Sequence, residues 1–300
     1  MHSRGIARAS LLCGVVVLAA VGGVRRAQAW SEPPDAPLTA ILVRLGDAVR
    51  GYYARAEQVV CDELVVLQPV GEDRLSGDAP ARRLQFELRI GWGSNDSTDA
   101  DSPHDATVWR TLQRVNGRPP RASDLDHCMD PKAASPDPLR IFLAEHQSDY
   151  RFTRPTRTTV DGRRAVRLDY QPREAGPVSA MRHDDCVSIV LPGRTAGRVW
   201  VDEDTGGVLR HDEYLVGLHD VRIPMGARRG PFEVDRVIVE RLDSSTRYRP
   251  VHFSDPDETL LLPASMESFT VIRQAGVPRL RTTQRFSRYR RFLTAGRVVE

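Results

Sequence analysis

Lysine is almost missing from this chain. Lys132 is the only one, and arginine supplies the rest of the 43 basic residues. So one-sided a choice reads as a coding bias and not as a nucleic-acid footprint. The motifs that announce common chemistries are missing too. There is no G-x-S-x-G, no H-E-x-x-H, no phosphate-binding loop and no C-x-x-C. A serine hydrolase, a zinc protease, a nucleotidase and a dithiol redox protein therefore have no motif to stand on. No internal repeat of fixed period is visible. No apolar run reaches the roughly 20 residues of a membrane-spanning helix.

The longest apolar run, Leu11 to Val24, lies at the amino terminus behind a short basic stretch, His2 to Arg8. Ala27-Gln28-Ala29 follows as an A-x-A cleavage signal. Residues 1–29 thus read as a secretory signal peptide, with Arg25-Arg26 keeping an uncleaved anchor as the alternative. Removing Arg4, Arg8, Arg25 and Arg26 takes the formal net charge from +3 to −1. A near-neutral exported protein argues against nucleic acid as a partner. Export implies the periplasm or the extracellular space. The mature chain keeps Cys61, Cys128 and Cys186. An oxidising compartment permits one disulfide, Cys128–Cys186 or either pairing through Cys61, and leaves one thiol over.

Residues 30–37 form a Pro-rich leader, and residues 38–300 read as one domain. From Leu38 to Val60 apolar residues recur at three and four, which predicts one amphipathic helix whose apolar stripe a larger surface must cover. Pro138 to His146 predicts a short second helix, with Ser135 or Asp137 as its cap. The remainder alternates at the strand period of two. Asn116-Gly117 and Asp161-Gly162 mark tight turns, and Gly197 to Gly217 reads as a central hairpin turning at Gly206-Gly207. Ser94 to Ala106 is a polar loop without calcium-loop spacing, and 172–196 reads as a long irregular connection. Phe232–Leu242, Tyr248–Phe253, Leu260–Leu262, Met266–Ile272 and Leu280–Phe292 follow as separate strands.

Four stretches together resemble one family of exported bacterial proteins: Val59-Val60-Cys61-Asp62-Glu63, the hairpin Gly197 to Asp202 with Gly206 to Arg210, Leu262-Pro263, and Gln284-Arg285-Phe286-Ser287-Arg288-Tyr289-Arg290-Arg291-Phe292. By architecture that family is remotely similar to the outer-membrane lipoprotein-carrier fold and to the anti-sigma-factor regulators that share it. The resemblance implies a strongly curved antiparallel sheet, an incomplete β-barrel, wrapped on one long amino-terminal helix plus a short second one, in the α+β class. It carries no catalytic residues and no cofactor. A half-barrel offers a concave space for an acyl chain or a lipidated partner, or else a core that its own side chains fill.

The remaining candidates are sparse. Acids beside Cys61, namely Asp62 and Glu63, oppose thiolate formation. His127-Cys128 and His183…Cys186 lack the spacing of zinc ligands, so no metal is expected. Asp202-Glu203-Asp204 reads as a solvated turn. Arg279, Arg281, Arg285 and Arg291 share one face of the last strand. They either protect a sheet edge or form a docking strip for an acidic partner or anionic headgroups. The expected function is a non-enzymatic envelope protein binding an apolar ligand or lipidated partner. The alternative is a regulatory or scaffold module that binds another envelope protein through the sheet edge or the arginine strand.

Overall fold

The computed structural model describes residues 38–56, 59–71, 80–92, 106–124, 139–183, 186–223, 235–274 and 279–291. Residues 1–37, read as signal peptide and leader, and most of the polar loop at 94–106 lie outside them. The first element, α1, runs Leu38–Ala56 and buries Leu45, Val49, Tyr53 and Ala56 at intervals of four, four and three. It stops short of the expected Val60. Val59-Val60 are β-branched and open β1, Val59–Val70, because such side chains lose little freedom in a strand and more in a helix.

The strands follow as β2 (Arg82–Trp92), β3 (Ala106–Val115), β4 (Tyr150–Val160), β5 (Arg163–Pro172), β6 (Ser179–His183), β7 (Cys186–Val190), β8 (Thr195–Asp202), β9 (Val208–Leu215), β10 (His219–Arg222), β11 (Arg236–Ser254), β12 (Asp257–Arg273) and β13 (Arg279–Arg291). One 11-stranded sheet has the order β3-β2-β1-β13-β12-β11-β9-β8-β5-β4, with β10 also pairing β11. Every pairing is antiparallel. The end strands β3 and β4 do not pair with each other, so the sheet is an incomplete barrel. Its inner face holds α1 and the short segment before β4.

Several elements differ from those expected of the sequence. The short helix is a 3-10 turn, Arg140–Phe142, followed by α2, Ala144–Gln147. Its apolar residues Leu139, Phe142 and Leu143 are buried against α1, while Ser135 and Asp137 lie outside the described residues. Within 172–196, β6 and β7 form a separate two-stranded hairpin. Ala180, Val187 and Ile189 of that hairpin pack on Val221, Val237 and Val239 of β10 and β11. Of the segments read separately after residue 232, the last is β13 and the first four belong to two long strands, β11 and β12. Bulges at Val239/Arg241 and Arg247/Tyr248 interrupt their alternation without ending the pairing. Finally, β13 is no edge: it lies between β1 and β12.

Both tight turns are present. Asn116 and Gly117 take φ 49° and 82°, and Asp161 and Gly162 take 48° and 81°. Positive φ at both central positions matches the twist of the flanking strands.

Candidate functional site

Between α1 and the inner face of β9, β11 and β12 lies a cavity of about 370 Å³. Val49 and Tyr52 line it from the helix, Leu139 from the segment before α2, and Val208, Tyr248 and Leu260 from the sheet. Arg55 and Arg163 stand among the lining residues with Thr205 and Thr259. The helix stripe and the inward side chains thus leave a partly apolar space beside the packed core of Leu45, Val49, Tyr53 and Phe142.

The tip of the central hairpin fixes α1 over this space. Asp202, 1% exposed, ends β8 inside the turn. Its carboxylate accepts from the Thr205 backbone N–H and hydroxyl, both at 2.8 Å, and from Arg163 Nε at 2.8 Å. Burial pushes the Asp202 carboxyl up, but the Arg163 and Thr205 hydrogen bonds outweigh it and hold it below its ordinary value. The turn is therefore organised around a buried acid, and the reading of residues 202–204 as a merely solvated turn is corrected for Asp202. Two carbonyls of the same turn face α1. Arg44 donates to Glu203 O at 2.7 Å and to Asp204 O at 3.2 Å. Gly206 adopts φ +73°, and a Cβ there would meet the Arg44 carbonyl oxygen at 2.9 Å. Glycine is required twice over, by conformation and by the closeness of the helix.

A buried polar cluster lies deeper on the inner face. Tyr170 OH and His211 Nε2 are 2.5 Å apart, their rings stacked at 5.6 Å. Phe142 meets His211 edge-on at 5.3 Å. Burial lowers His211 to about 4, with Asp212 opposing, so the imidazole is neutral at neutral pH and shares a hydrogen bond with the tyrosine hydroxyl. Gly197 sits beneath: a Cβ there would come within 2.3 Å of Tyr170 OH. Thr195 donates to Glu213 at 2.6 Å, and burial raises that carboxyl. These groups satisfy one another. No nucleophile with an adjacent base is set among them, and no group of acids, histidines and cysteines suited to a metal ion occurs among the described residues.

Cys61 carries a free, buried thiol. Burial and the neighbouring Glu63 push it up to about 12, which makes it inert at neutral pH. A pairing of Cys61 with Cys186 is overturned by topology. Cys61 is on β1, whereas the hairpin carrying Cys186 packs at β10 and β11, with β13 and β12 between. Strands stand about 4.8 Å apart, so this exceeds the roughly 7 Å limit between Cα atoms of a disulfide. Cys128 and His127 lie outside the described residues.

The arginine strip is re-sorted. Arg281 and Arg285 are exposed on the outer face of β13, and Arg279 donates to Gly71 O at 3.1 Å. Arg291 departs from them. Across β1 and β13, Asp62 pairs with Ser287 but Val60 with Arg290, so β13 carries an extra residue there, and Arg288 takes φ 52°. The bulge reverses the parity. Arg291 lies over the Phe253 ring at 5.0 Å and pairs with Glu258, while Arg288 and Arg290 turn outward to Asp62.

No family model and no curated protein matches the chain. Among solved structures it is remotely similar to a LolA superfamily protein from Nitrosomonas europaea, at 10% identity and a TM-score of 0.36 over 87% of this chain and 97% of that one. A DUF1329 family protein from Desulfovibrio piger gives 11% identity and a TM-score of 0.41, over 87% and 95% of the two chains. A domain assigned to outer-membrane lipoprotein sorting, from Vibrio parahaemolyticus, gives 14% identity and 0.34, over 83% and 92%.

Sequence reasoning did not single out Arg44, Tyr170 or His211. Arg44 stands on the polar face of α1, where nothing local sets it apart from Arg50. The Tyr170–His211 contact joins β5 to β9 across β8, and no spacing along the chain encodes it.

Proposed function

We propose that this chain is an exported envelope protein that holds one apolar group, an acyl chain or the lipid of a lipidated partner, between α1 and the sheet, without catalysing a reaction. The cavity itself carries the reading. Its volume of about 370 Å³ falls in the range of small-ligand sites, about 300–1,000 Å³. Val49, Leu139, Val208, Leu260 and Leu261 with Tyr52 and Tyr248 give it an aliphatic and aromatic lining suited to an apolar group. The amino-terminal signal supports delivery to the envelope.

The test is direct binding of a fluorescent fatty acid, cis-parinaric acid, to the purified mature chain. Thr259 is exposed and lines the cavity, so Thr259→Trp should plug it without disturbing the core. Binding by the parent and loss of about tenfold or more in affinity in this variant, at unchanged melting temperature, is expected for a site of this size. A parent that binds no fatty acid, or a variant that binds it as well as the parent, refutes the proposal.

A further inference from the structure

We propose that the outer face of β13, β1, β2 and β3 is a docking surface for an acidic segment of another protein, independently of what the cavity holds. The bulge on β13 is the first observation, because it brings Arg288 and Arg290 to this face. The acids there are already engaged. Asp62 takes Arg288 and Arg290, and Glu87 takes Arg89 and Arg290. Among the described residues no carboxylate pairs with Arg83, Arg114, Arg281 or Arg285. All four are exposed. Positive charge is thus in excess on this face, where Glu267 of the adjacent β12, opposite Thr283, is the one exposed acid beside Arg281 among the described residues.

The second observation is shape. A groove of about 560 Å³ runs over this face, with Leu64, Gln85 and Gln113 in it, Arg114 on one side and Arg288 and Arg290 on the other. The side-chain amides can donate to carboxylates or to peptide carbonyls.

Spacing decides what fits. In register, Arg285 stands opposite Leu64, Leu64 opposite Gln85, and Gln85 opposite Arg114. Three strand spacings put Arg285 and Arg114 about 14 Å apart, and Arg281 is about 13 Å from Arg285 along β13. Guanidiniums so dispersed do not converge on one phosphate or one carboxylate. They match an extended polypeptide, in which acids four residues apart are also about 13 Å apart. A bilayer fits less well. A plane touches a convex sheet only along its crest and cannot enter the groove.

The probe is a fluorescein-labelled peptide of alternating Glu and Ser, with a Gln-for-Glu peptide as control, followed by anisotropy. The parent should bind the acidic peptide and not the control, with affinity falling as salt screens the contacts. Arg281→Gln/Arg285→Gln should weaken binding about fivefold or more, the sum of two exposed charge contacts. Neither residue has an ion-pair partner among the described residues, so the variant should melt with the parent. Failure of the acidic peptide to bind above the control at low salt overturns the proposal, as does equal binding by the double variant. So does binding to phosphatidylglycerol vesicles, lost in the variant, without peptide binding. Fatty-acid uptake by the same double variant should stay at the parent level, which keeps this result separate from the cavity.

Discussion

Glu63 and Arg110 offer the sharpest test of the inner face. Glu63 on β1 is fully buried, Arg110 on β3 is nearly so, and Nε meets Oε2 at 2.7 Å. The contact reaches diagonally over β2, because Glu63 stands opposite Phe86 and Arg110 opposite Leu88. Two charges withdrawn from water gain little over an apolar pair of the same volume, but each is expensive alone. Arg110→Met leaves the Glu63 carboxylate buried without its counter-charge and should cost about 3–5 kcal/mol. That loss would move a urea midpoint down by about 1–2 M at the slope expected for a chain of this size. Glu63→Leu/Arg110→Met removes both charges and should fall within about 1 kcal/mol of the parent or above it. The two single costs are therefore strongly non-additive, and the coupling is the measurement. Single variants that unfold within about 0.5 kcal/mol of the parent, as ordinary surface changes do, would show that this face is open to water.

Two further predictions concern the hairpin tip and the buried histidine. Gly206→Ala adds a Cβ at φ +73°, 2.9 Å from the Arg44 carbonyl. It should cost about 1–3 kcal/mol by strain and overpacking, and Arg44→Ala less; hydrogen exchange should show faster opening of α1 in both, and unchanged exchange refutes the clamp. His211 is held at about 4 in the fold against 6.5 ordinarily, so its contribution is complete above pH 6.5. It is lost as the unfolded chain takes up the proton first, between pH 6.5 and 4, by up to about 3 kcal/mol at 1.36 per unit; His211→Phe should flatten the stability curve in that window, and an unaltered slope there counts against a buried neutral imidazole.

What the sequence makes legible is local. The stripe of α1 is visible because the helical period is written in Leu45, Val49 and Ala56 themselves, although that period points to Tyr52 where Tyr53 is the buried tyrosine. The turns at Asn116-Gly117 and Asp161-Gly162 are visible because so few residues accept left-handed φ. The β6–β7 hairpin is hidden for the opposite reason. Its strands are short, apolar residues face one side only, and Pro172, Pro177 and Pro192 around them read as irregular chain. The pairing of β13 with β1 joins the two ends of the described chain, and alternation in either strand is silent about its partner. The cavity is hidden in the same way. Its walls come from α1, the segment before α2, and β9, β11 and β12, so no single stretch displays it.

The arginines of β13 show how one extra residue decides what a surface is for. Period two from Arg279 assigns Arg291 to the outer face and Arg288 and Arg290 to the core. With strict alternation, two unpartnered guanidiniums would point into the inner face, where an isolated charge is tolerated only with a partner. The bulge at Arg288 removes that conflict. It delivers Arg288 and Arg290 to Asp62 outside, and it brings Arg291 inward to Glu258 and the Phe253 ring, where it also reaches the Arg55 carbonyl at the end of α1. One irregularity therefore does two things: it ties the last described strand to the carboxyl end of the helix that roofs the cavity, and it gathers on the opposite face the charges of the proposed docking groove. Positive φ at a non-glycine residue is uncommon enough to need a reason, and at Arg288 the reason is the sorting of these charges.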